Sequence, residues 1–256
     1  MTSITEIKTD IIEVGKLLYF KNYVASNDGN ISVKLSNGNI VITPSGVSKN
    51  RMKAEDLIVV NSVGTLIEGN KRPSSEMKMH LRVYERRQDV SAVVHAHPQN
   101  TTAFSLVKGL DIEKILLPEV VFSLGNIRVA DYGTPTTADL PDTINDVICD
   151  ADAIILRKHG AITVGKDVFD AYYKMETLEH YSAIRLKARS IGEEDFIDDA
   201  EQSKLYSIRN KVYGKKMPSC NPMSESSSQE FQQSKDIYLK SLIEEIVKSI
   251  INKLQI

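Results

Sequence analysis

A pair of short segments near the N-terminus places the strongest constraint on the fold. Residues 31–35 and 40–43 alternate apolar and polar side chains around the turn sequence SNGN. Two such runs on either side of a glycine-containing turn are typical of a β-hairpin. The strands and helices expected further along alternate irregularly. We therefore expect an α/β layered domain with a mixed or antiparallel sheet.

Periodicity and start signals predict the remaining elements. Pro73 and the two serines after it mark the start of one helix, since proline and serine favour the first turn. Helices are predicted at residues 6–22, 73–87, 100–107, 139–149 and 167–190, and strands at residues 57–61, 91–97, 120–129 and 153–156.

Composition excludes several classes of protein. The chain has 256 residues, 41% of them hydrophobic, and a formal net charge of -2. It lacks the basic excess expected of a nucleic-acid surface, a signal-peptide pattern at its start and an apolar run of the roughly 20 residues that span a bilayer. Two cysteines are too few for a disulfide framework and lack metal-site spacing, which favours a reducing compartment. We expect a cytoplasmic protein with no nucleic-acid or membrane partner.

The C-terminal region differs from the rest in composition. Residues 215–234 are rich in Ser, Gln and Pro, as flexible linkers are. Residues 235–256 carry apolar side chains at helical spacing, with charges on the other face. We predict a domain at residues 1–214, a linker at 215–234 and an amphipathic tail helix at 235–256.

Three histidines are candidate metal ligands. His95 and His97 lie two apart at the end of a predicted strand that Pro98 stops, so their side chains share a face. His159 directly follows another apolar strand. Three imidazoles with an open position suit a catalytic zinc ion. The alternatives are core packing for the His95 and His97 pair and a loop cap for His159.

Glu76 is the candidate acid/base residue. It is predicted in the first turn of the helix that Pro73 begins, next to Ser74 and Ser75, whose hydroxyls and free backbone N–H groups could receive an anion. The alternative is that Glu76 only complements the helix dipole. His80 and His180 fall within predicted helices and are interpreted as structural.

Three stretches could hold a phosphate group. Gly29 and Asn30, Ser45 and Gly46, and the pair Ser74 and Ser75 are small residues whose backbone N–H groups an anion can approach. Each alone is an ordinary turn or cap. Together with the histidines they indicate a phosphorylated substrate at a metal ion.

The sequence resembles the class II aldolase/adducin family. The resemblance covers most of residues 5–214 and is carried, in order, by DGNISVK, ITPSG, PSSEMKMHLRVYERRQDVSAVVHAHP and RKHGAITVG. It implies a three-layer α/β/α sandwich with a mixed, largely antiparallel sheet, a homotetramer with sites at subunit interfaces, and zinc-dependent cleavage of a phosphorylated ketose. Pentulose-phosphate epimerases of the family typically have Asp where this chain has Glu76, and adducin-like scaffolds lack the metal histidines, so an aldolase is favoured over both.

The resemblance also implies residue roles. Zinc would be held by His95, His97 and His159, and by Glu76 when substrate is absent, with Glu76 as the catalytic acid/base. The substrate phosphate would be bound by Gly29, Asn30, Ser45, Gly46, Ser74 and Ser75. Tyr213 matches a C-terminal tyrosine that reaches the neighbouring active site. The chain departs from the pattern at Asn27 and Asp28, where Thr-Ser is common, and at residues 116–118, where a second tyrosine is missing.

The tail is similar to an encapsulation peptide of bacterial microcompartments. That resemblance implies binding to a compartment shell or to other cargo. The alternatives are a self-association helix and a membrane-surface helix, and its mixed charges weaken the second.

Overall fold

A computed structural model describes residues 2–109, 111–137 and 139–220. The predicted tail helix and residues 221–234 of the predicted linker lie outside these residues. Within them, no helix is both long and apolar enough to cross a bilayer.

The centre of the fold is an eight-stranded mixed sheet. Its order is β4-β3-β2-β1-β5-β8-β7-β6, and every neighbouring pair is antiparallel except β6 and β7. The strands are β1 Asn30–Lys34, β2 Ile40–Ile42, β3 Ile58–Val60, β4 Leu66–Glu68, β5 Ala92–Ala96, β6 Asn126–Ala130, β7 Ala151–Leu156 and β8 Gly160–Gly165. The predicted hairpin is confirmed: β1 pairs with β2, and Gly38 takes the positive φ that its turn requires.

Helices cover both faces of the sheet. They are α1 Ile4–Phe20, α2 Met77–Arg86, α3 Gln99–Leu106, α4 Pro118–Ser123, α5 Asp139–Thr143, α6 Val168–Ile191 and α7 Asp199–Tyr213. Buried side chains of α1, α3, α4 and α6 share one apolar core with one side of the strands, whereas those of α2 and α5 share a second core with the other side. The three-layer α/β/α sandwich with a mixed, largely antiparallel sheet is thereby confirmed.

The extended segment predicted at residues 120–129 is partly wrong. Its first half belongs to α4, which begins at Pro118, a residue that suits a first helical position. Gly125 has a φ of 73° and ends α4, because its backbone N–H donates to the carbonyls of Val120 and Val121. β6 then begins. The segment 139–149 is also not one helix, since α5 ends at Thr143 and a short 3-10 turn, Val147–Cys149, follows.

Three elements were not predicted. β4 is an exposed edge strand of three residues and has no apolar alternation to reveal it. β8 begins and ends with a glycine, and all its residues are buried, so it shows no alternation of apolar and polar side chains. α7 has recognisable ends, because the side chain of Asp198 caps its start and Gly214 ends it in a left-handed conformation.

The two cysteines form a disulfide, which corrects the prediction that discounted one. Cys149 and Cys220 are 71 residues apart in sequence, and their Cα atoms lie 4.7 Å apart. The bond joins the 3-10 turn before β7 to the segment after α7. Sequence spacing could not predict this proximity, because it depends on where α7 returns the chain.

A histidine and glutamate cluster as the candidate active site

The two-residue period of a strand brings His95 and His97 together. In β5 the side chains of Val94 and Ala96 enter the core shared with α1 and α6, so His95 points to the opposite face, toward α2. His97 follows the strand on that same face, and the ring centroids of the two histidines are 4.9 Å apart. The prediction that their side chains share a face is confirmed.

His159 joins them from the turn between β7 and β8. Its ring centroid lies 4.9 Å from that of His95 and 5.0 Å from that of His97. Gly160 makes this approach possible, since a Cβ there would lie 2.5 Å from Ala96 O and from His97 Cδ2. A side chain at residue 160 would push the turn, and His159 with it, away from β5.

The donor set fits a divalent metal ion. His95, His97 and His159 each offer one nitrogen, and these atoms lie within 4.8 Å of one another. The Nε2 atoms of His95 and His97 are 3.1 Å apart, close to the roughly 3.3 Å expected of two imidazoles on one tetrahedral zinc. His95 Nδ1 donates to the carbonyl of Ala161 at 2.9 Å, so Nε2 is the His95 nitrogen that faces the cluster and could bind a metal.

Glu76 faces the same centre. Its Oε2 lies 3.2 Å from His95 Nε2, and its Oε1 lies 3.1 Å from His159 Nε2. The residue occupies the cap position just before α2, which corrects its predicted place in the first helical turn. Ser74 supports that turn, since its Oγ accepts a 3.3 Å bond from the Glu76 N–H.

The electrostatics of the cluster follow from its burial. Burial raises the pKa of the Glu76 carboxyl, but the charge of His95 and hydrogen bonds from His159, His95 and Asn30 outweigh it and hold that pKa below its usual range. Burial lowers the pKa of His95, but Glu76 more than compensates and raises it. Burial and the two neighbouring imidazoles lower the pKa of His97 to about 3. His97 is therefore a neutral imidazole at neutral pH, the form that binds metals.

The candidate phosphate stretches lie beside one another. An isolated bridge joins Pro44 to Pro73, so the loop with Ser45 and Gly46 runs next to the start of α2, where Ser74 is buried and Ser75 exposed. The side chain of Thr43, the residue before Pro44, accepts a bond from the backbone N–H of Ile31. That bond ties this loop to β1.

Gly29 and Asn30 lie at the start of β1, and Asn30 pairs with His95 across the strands. Gly29 has φ of 71°, and a Cβ there would lie 2.8 Å from His95 O. The Asn30 amide contacts Glu76 and His80. The structure thus places Asn30 against the candidate acid/base residue.

Lys49 is a polar residue of this region that the sequence interpretation missed. It is 1% exposed, and its Nζ donates to the backbone carbonyls of Asn27 and Val47, each at 3.1 Å. It thereby joins the loop before Gly29 to the loop that carries Ser45 and Gly46. Burial lowers the pKa of the Lys49 ammonium to about 8, against the opposing charges of Asp28 and Glu76. In the sequence, the feature that could have indicated this role is the position of the lysine close to the PSG turn.

An open cleft adjoins the cluster on the side of His97. Its volume is about 290 Å³, and Asp28 contributes its single carboxylate. The Asp28 carboxylate lies 3.7 Å from His97 Nδ1. The remaining lining residues are Tyr19, Asn22, Val24, Ala25, Ser26 and Gln99.

Tyr213 lies away from any contact with the cluster in the described part of this chain. It ends α7, is 55% exposed, and its ring packs on Phe122 with centroids 5.3 Å apart. Its predicted role depends on a second copy of the chain. His180 is exposed on α6, and His80 is buried on the side of α2 that faces the sheet. Neither is among the candidate metal ligands.

Comparison with known proteins agrees with this geometry. Residues 9–186 match the Class II Aldolase and Adducin N-terminal domain. An L-fuculose phosphate aldolase of Methanococcus maripaludis is 36% identical over 178 residues, which are 69% of this chain and 94% of that protein. A 5-deoxy-D-ribulose 1-phosphate aldolase of Bacillus thuringiensis serovar kurstaki is 32% identical over 200 residues, 77% of this chain and 92% of that one.

Solved structures give the same result. The structure of an L-fuculose 1-phosphate aldolase matches with a TM-score of 0.75 at 27% identity, covering 81% of this chain and 97% of its own. Fold, motif order and full-length relatives agree, and the chain therefore belongs to the class II aldolase and adducin N-terminal domain family.

Proposed function

We propose that this protein cleaves L-fuculose 1-phosphate, or a close ketose 1-phosphate such as L-rhamnulose 1-phosphate, to dihydroxyacetone phosphate and L-lactaldehyde, using zinc. Its family makes it a metal-dependent lyase. The observation that carries the proposal is the convergence of three imidazole nitrogens and the Glu76 carboxylate on one centre.

His95, His97 and His159 would hold the ion, one per chain, with Glu76 beside it. Bound there, a divalent metal supplies Lewis-acid stabilisation of the negative charge that develops on the ketone and adjacent hydroxyl oxygens as the carbon–carbon bond breaks. An imidazole that binds a metal ion does so as the neutral ring, so three such ligands would leave the net charge of the ion intact.

Glu76 transfers the proton to and from C3 of the substrate. Breaking the C3–C4 bond leaves an electron pair on C3 of the dihydroxyacetone phosphate half, and Glu76 delivers a proton there. In the condensation direction the Glu76 carboxylate removes the same proton. Its contacts with His95 and His159 aim it at the centre where the substrate would bind, and the carboxyl must hold a proton before cleavage and be ionised before condensation.

The phosphate group has a matching surface. The backbone N–H groups of Gly29 and Gly46, with the hydroxyls of Ser45, Ser74 and Ser75, offer hydrogen-bond donors without a bulky side chain. The adjacent Lys49 ammonium adds positive charge behind the two loops. We therefore place the substrate phosphate against these two loops and the start of α2.

The hydroxyl at C4 must lose a proton as the aldehyde forms. Tyr213 of a neighbouring copy is our candidate for this second transfer, in a homotetramer with sites between subunits. Its exposure at the end of α7 is compatible with contact to another chain. Residues 116–118 are Leu-Leu-Pro and offer no alternative phenol.

The decisive experiment is turnover of L-fuculose 1-phosphate by zinc-loaded protein, followed by detection of dihydroxyacetone phosphate, with a chelated sample as control. Production that stops on chelation and returns with zinc supports the proposal. Assays with L-rhamnulose 1-phosphate and 5-deoxy-D-ribulose 1-phosphate would rank the substrates. A pentulose 5-phosphate converted to its C4 epimer, with no aldehyde released, would instead establish a pentulose-phosphate 4-epimerase. A zinc-loaded protein with neither product would refute the lyase assignment to these sugars.

We also propose that the protein acts in the cytoplasm, within a bacterial microcompartment. The support is the amphipathic pattern of residues 235–256 on the Ser-, Gln- and Pro-rich segment before them. Fusion of residues 215–256 to a fluorescent protein, co-expressed with compartment shell proteins, tests this. Diffuse fluorescence would count against it.

A further inference from the structure

A polar stripe runs along the face of α2 that packs on the sheet. Glu76, His80 and Tyr84 recur every four residues, so they lie on one side of the helix. Opposite them, Asn30 and Ser32 lie two apart on the same side of β1. Four helical residues rise about 6 Å and two strand residues about 6.6 Å, so successive residues of the two rows lie opposite one another.

The rows interlock through a continuous chain of hydrogen bonds. Tyr84 Oη lies 2.7 Å from Ser32 Oγ, and Ser32 Oγ lies 2.7 Å from His80 Nδ1. His80 Nε2 lies 2.5 Å from Asn30 Oδ1, and Asn30 Nδ2 lies 2.8 Å from Glu76 Oε2. We call these five side chains the α2 relay. Apart from Glu76 they are buried.

The chemistry of the groups fixes the direction of every bond. A carboxylate only accepts, so Asn30 must turn its NH₂ group toward Glu76 and its carbonyl oxygen toward His80. His80 must then carry its proton on Nε2, which leaves Nδ1 to accept from the Ser32 hydroxyl. Ser32 in turn accepts from the Tyr84 hydroxyl.

The surroundings of His80 agree with this arrangement. Complete burial lowers the pKa of His80 to about 3, with a further lowering from the charge of His95, so the ring is neutral at neutral pH. A neutral ring has one donor and one acceptor nitrogen, which is the combination that this position uses.

We propose that His80 is a positioning residue, which holds the catalytic Glu76 in place through Asn30. The proposal rests on the proposed role of Glu76. Met79 and Val83 of α2 belong to the apolar core beside this stripe. A buried polar chain in their midst must be satisfied at every atom, and this one ends on the acid/base carboxylate.

Such a chain restricts where the Glu76 carboxylate can turn. The contacts of Glu76 with His95 and His159 involve one oxygen each, and Asn30 fixes Oε2 from a third direction. Without His80, the Asn30 amide loses the partner that orients it. Glu76 would then meet C3 of the substrate in the correct orientation less often. The turnover number would fall. KM should change little, because the other phosphate-binding residues and the metal-binding nitrogens have no hydrogen bond to His80.

The test compares His80→Leu with His80→Gln in the zinc-loaded, full-length protein. His80→Leu removes both bonds and is expected to lower kcat about 10- to 100-fold, as lost outer partners of metal sites do. KM and zinc content should stay within about twofold of wild type. His80→Gln keeps an N–H donor for Asn30 and should recover part of kcat. The control is His180→Leu, at an exposed position of α6. Unchanged kcat in His80→Leu, or equal loss in both His80 variants, would overturn the proposal.

A second measurement does not depend on activity. In protein labelled with ¹⁵N histidine, the relay requires His80 with a protonated Nε2 and an unprotonated Nδ1, and Tyr84→Phe should perturb the Nδ1 signal. The opposite tautomer would overturn the proposal even in an active enzyme. A wild-type protein with the expected tautomer but no lyase activity would instead refute the proposed function and leave the relay established as a structural feature.

Discussion

The Glu76 carboxylate lies 3.1 Å from the Nε2 atom of His159, although 83 positions separate them in sequence. The contact joins the start of a helix on one face of the sheet to a turn at the end of β7. It places the candidate acid/base residue against a candidate metal ligand. A carboxylate that served only the helix dipole would point to solvent, whereas this side chain is 10% exposed.

Glu76→Gln should abolish most turnover while zinc remains bound. Glutamine keeps the shape of the side chain but cannot take up or return a proton, and general acid–base groups contribute about 10²- to 10⁴-fold. Turnover and zinc content per chain, measured on the same sample, check this. Glu119→Gln is a matched control, since Glu119 also lies at a helix start but is exposed. Full activity in Glu76→Gln would remove Glu76 from the mechanism.

Lys49→Met should weaken phosphate binding. The variant keeps the volume of the side chain but loses two bonds from a charged donor to the carbonyls of Asn27 and Val47. Without these bonds the two loops lose a link between them, and the site loses a nearby positive charge. We therefore expect the inhibition constant of inorganic phosphate to rise roughly tenfold, which corresponds to about 1.4 kcal/mol. Lys53→Met, on an exposed lysine four residues later, should have no effect. Equal constants for wild type and Lys49→Met would show that Lys49 does not support the phosphate loops.

The sequence predicts the local parts of this site well. The two-residue period of a strand is enough to put His95 and His97 on one face, and the SNGN turn is enough to predict the β1 and β2 hairpin. The relation of Glu76 to Asn30 is different in kind. It depends on how α2 packs across β1, and the two residues are 46 positions apart. The same is true of Lys49, since its partner Asn27, 22 positions away, becomes a neighbour only once the chain folds.

Motif resemblance supplied what local pattern could not. It predicted that Glu76 and the three histidines act together, whereas the position of Glu76 alone favoured a helix-dipole role. It did not predict the disulfide, nor α7, since neither is part of the motifs. It also assigned Asn30 to phosphate binding, a role that stays a prediction, whereas the structure shows its amide between Glu76 and His80.

Glu194→Gln should destabilise the fold at neutral pH but not in acid. Arg185 donates to both Glu194 oxygens at 2.7 and 2.9 Å, and both side chains are buried. Hydrogen bonding to Arg185 lowers the pKa of the Glu194 carboxyl below its ordinary value of 4.5. A carboxyl whose pKa is lowered in the folded state stabilises the fold at pH values above its ordinary pKa. This stabilisation is lost as the pH falls through the lowered pKa.

Denaturant unfolding at about pH 7 and about pH 3 measures the effect of Glu194→Gln. At the higher pH the free energy of unfolding of the variant should be roughly 3 kcal/mol below that of wild type, as when one partner of a buried ion pair is removed. The difference should shrink at the lower pH. Glu193→Gln, on the exposed neighbour, is the control. A difference that stays constant with pH would mean that the ion pair does not carry the stabilisation.

Cys220→Ser should destabilise the oxidised protein by about 2–4 kcal/mol, since a disulfide restricts the unfolded chain and this one joins positions 71 residues apart. Urea unfolding with and without dithiothreitol provides the measurement. The reductant should lower the stability of wild type to that of Cys220→Ser and leave the variant unchanged, because the variant has no bond to lose. A thiol assay on the unreduced, unfolded wild type supplies the control. Two titratable thiols there would show that Cys149 and Cys220 stay reduced, and the reducing environment inferred from cysteine content would then hold.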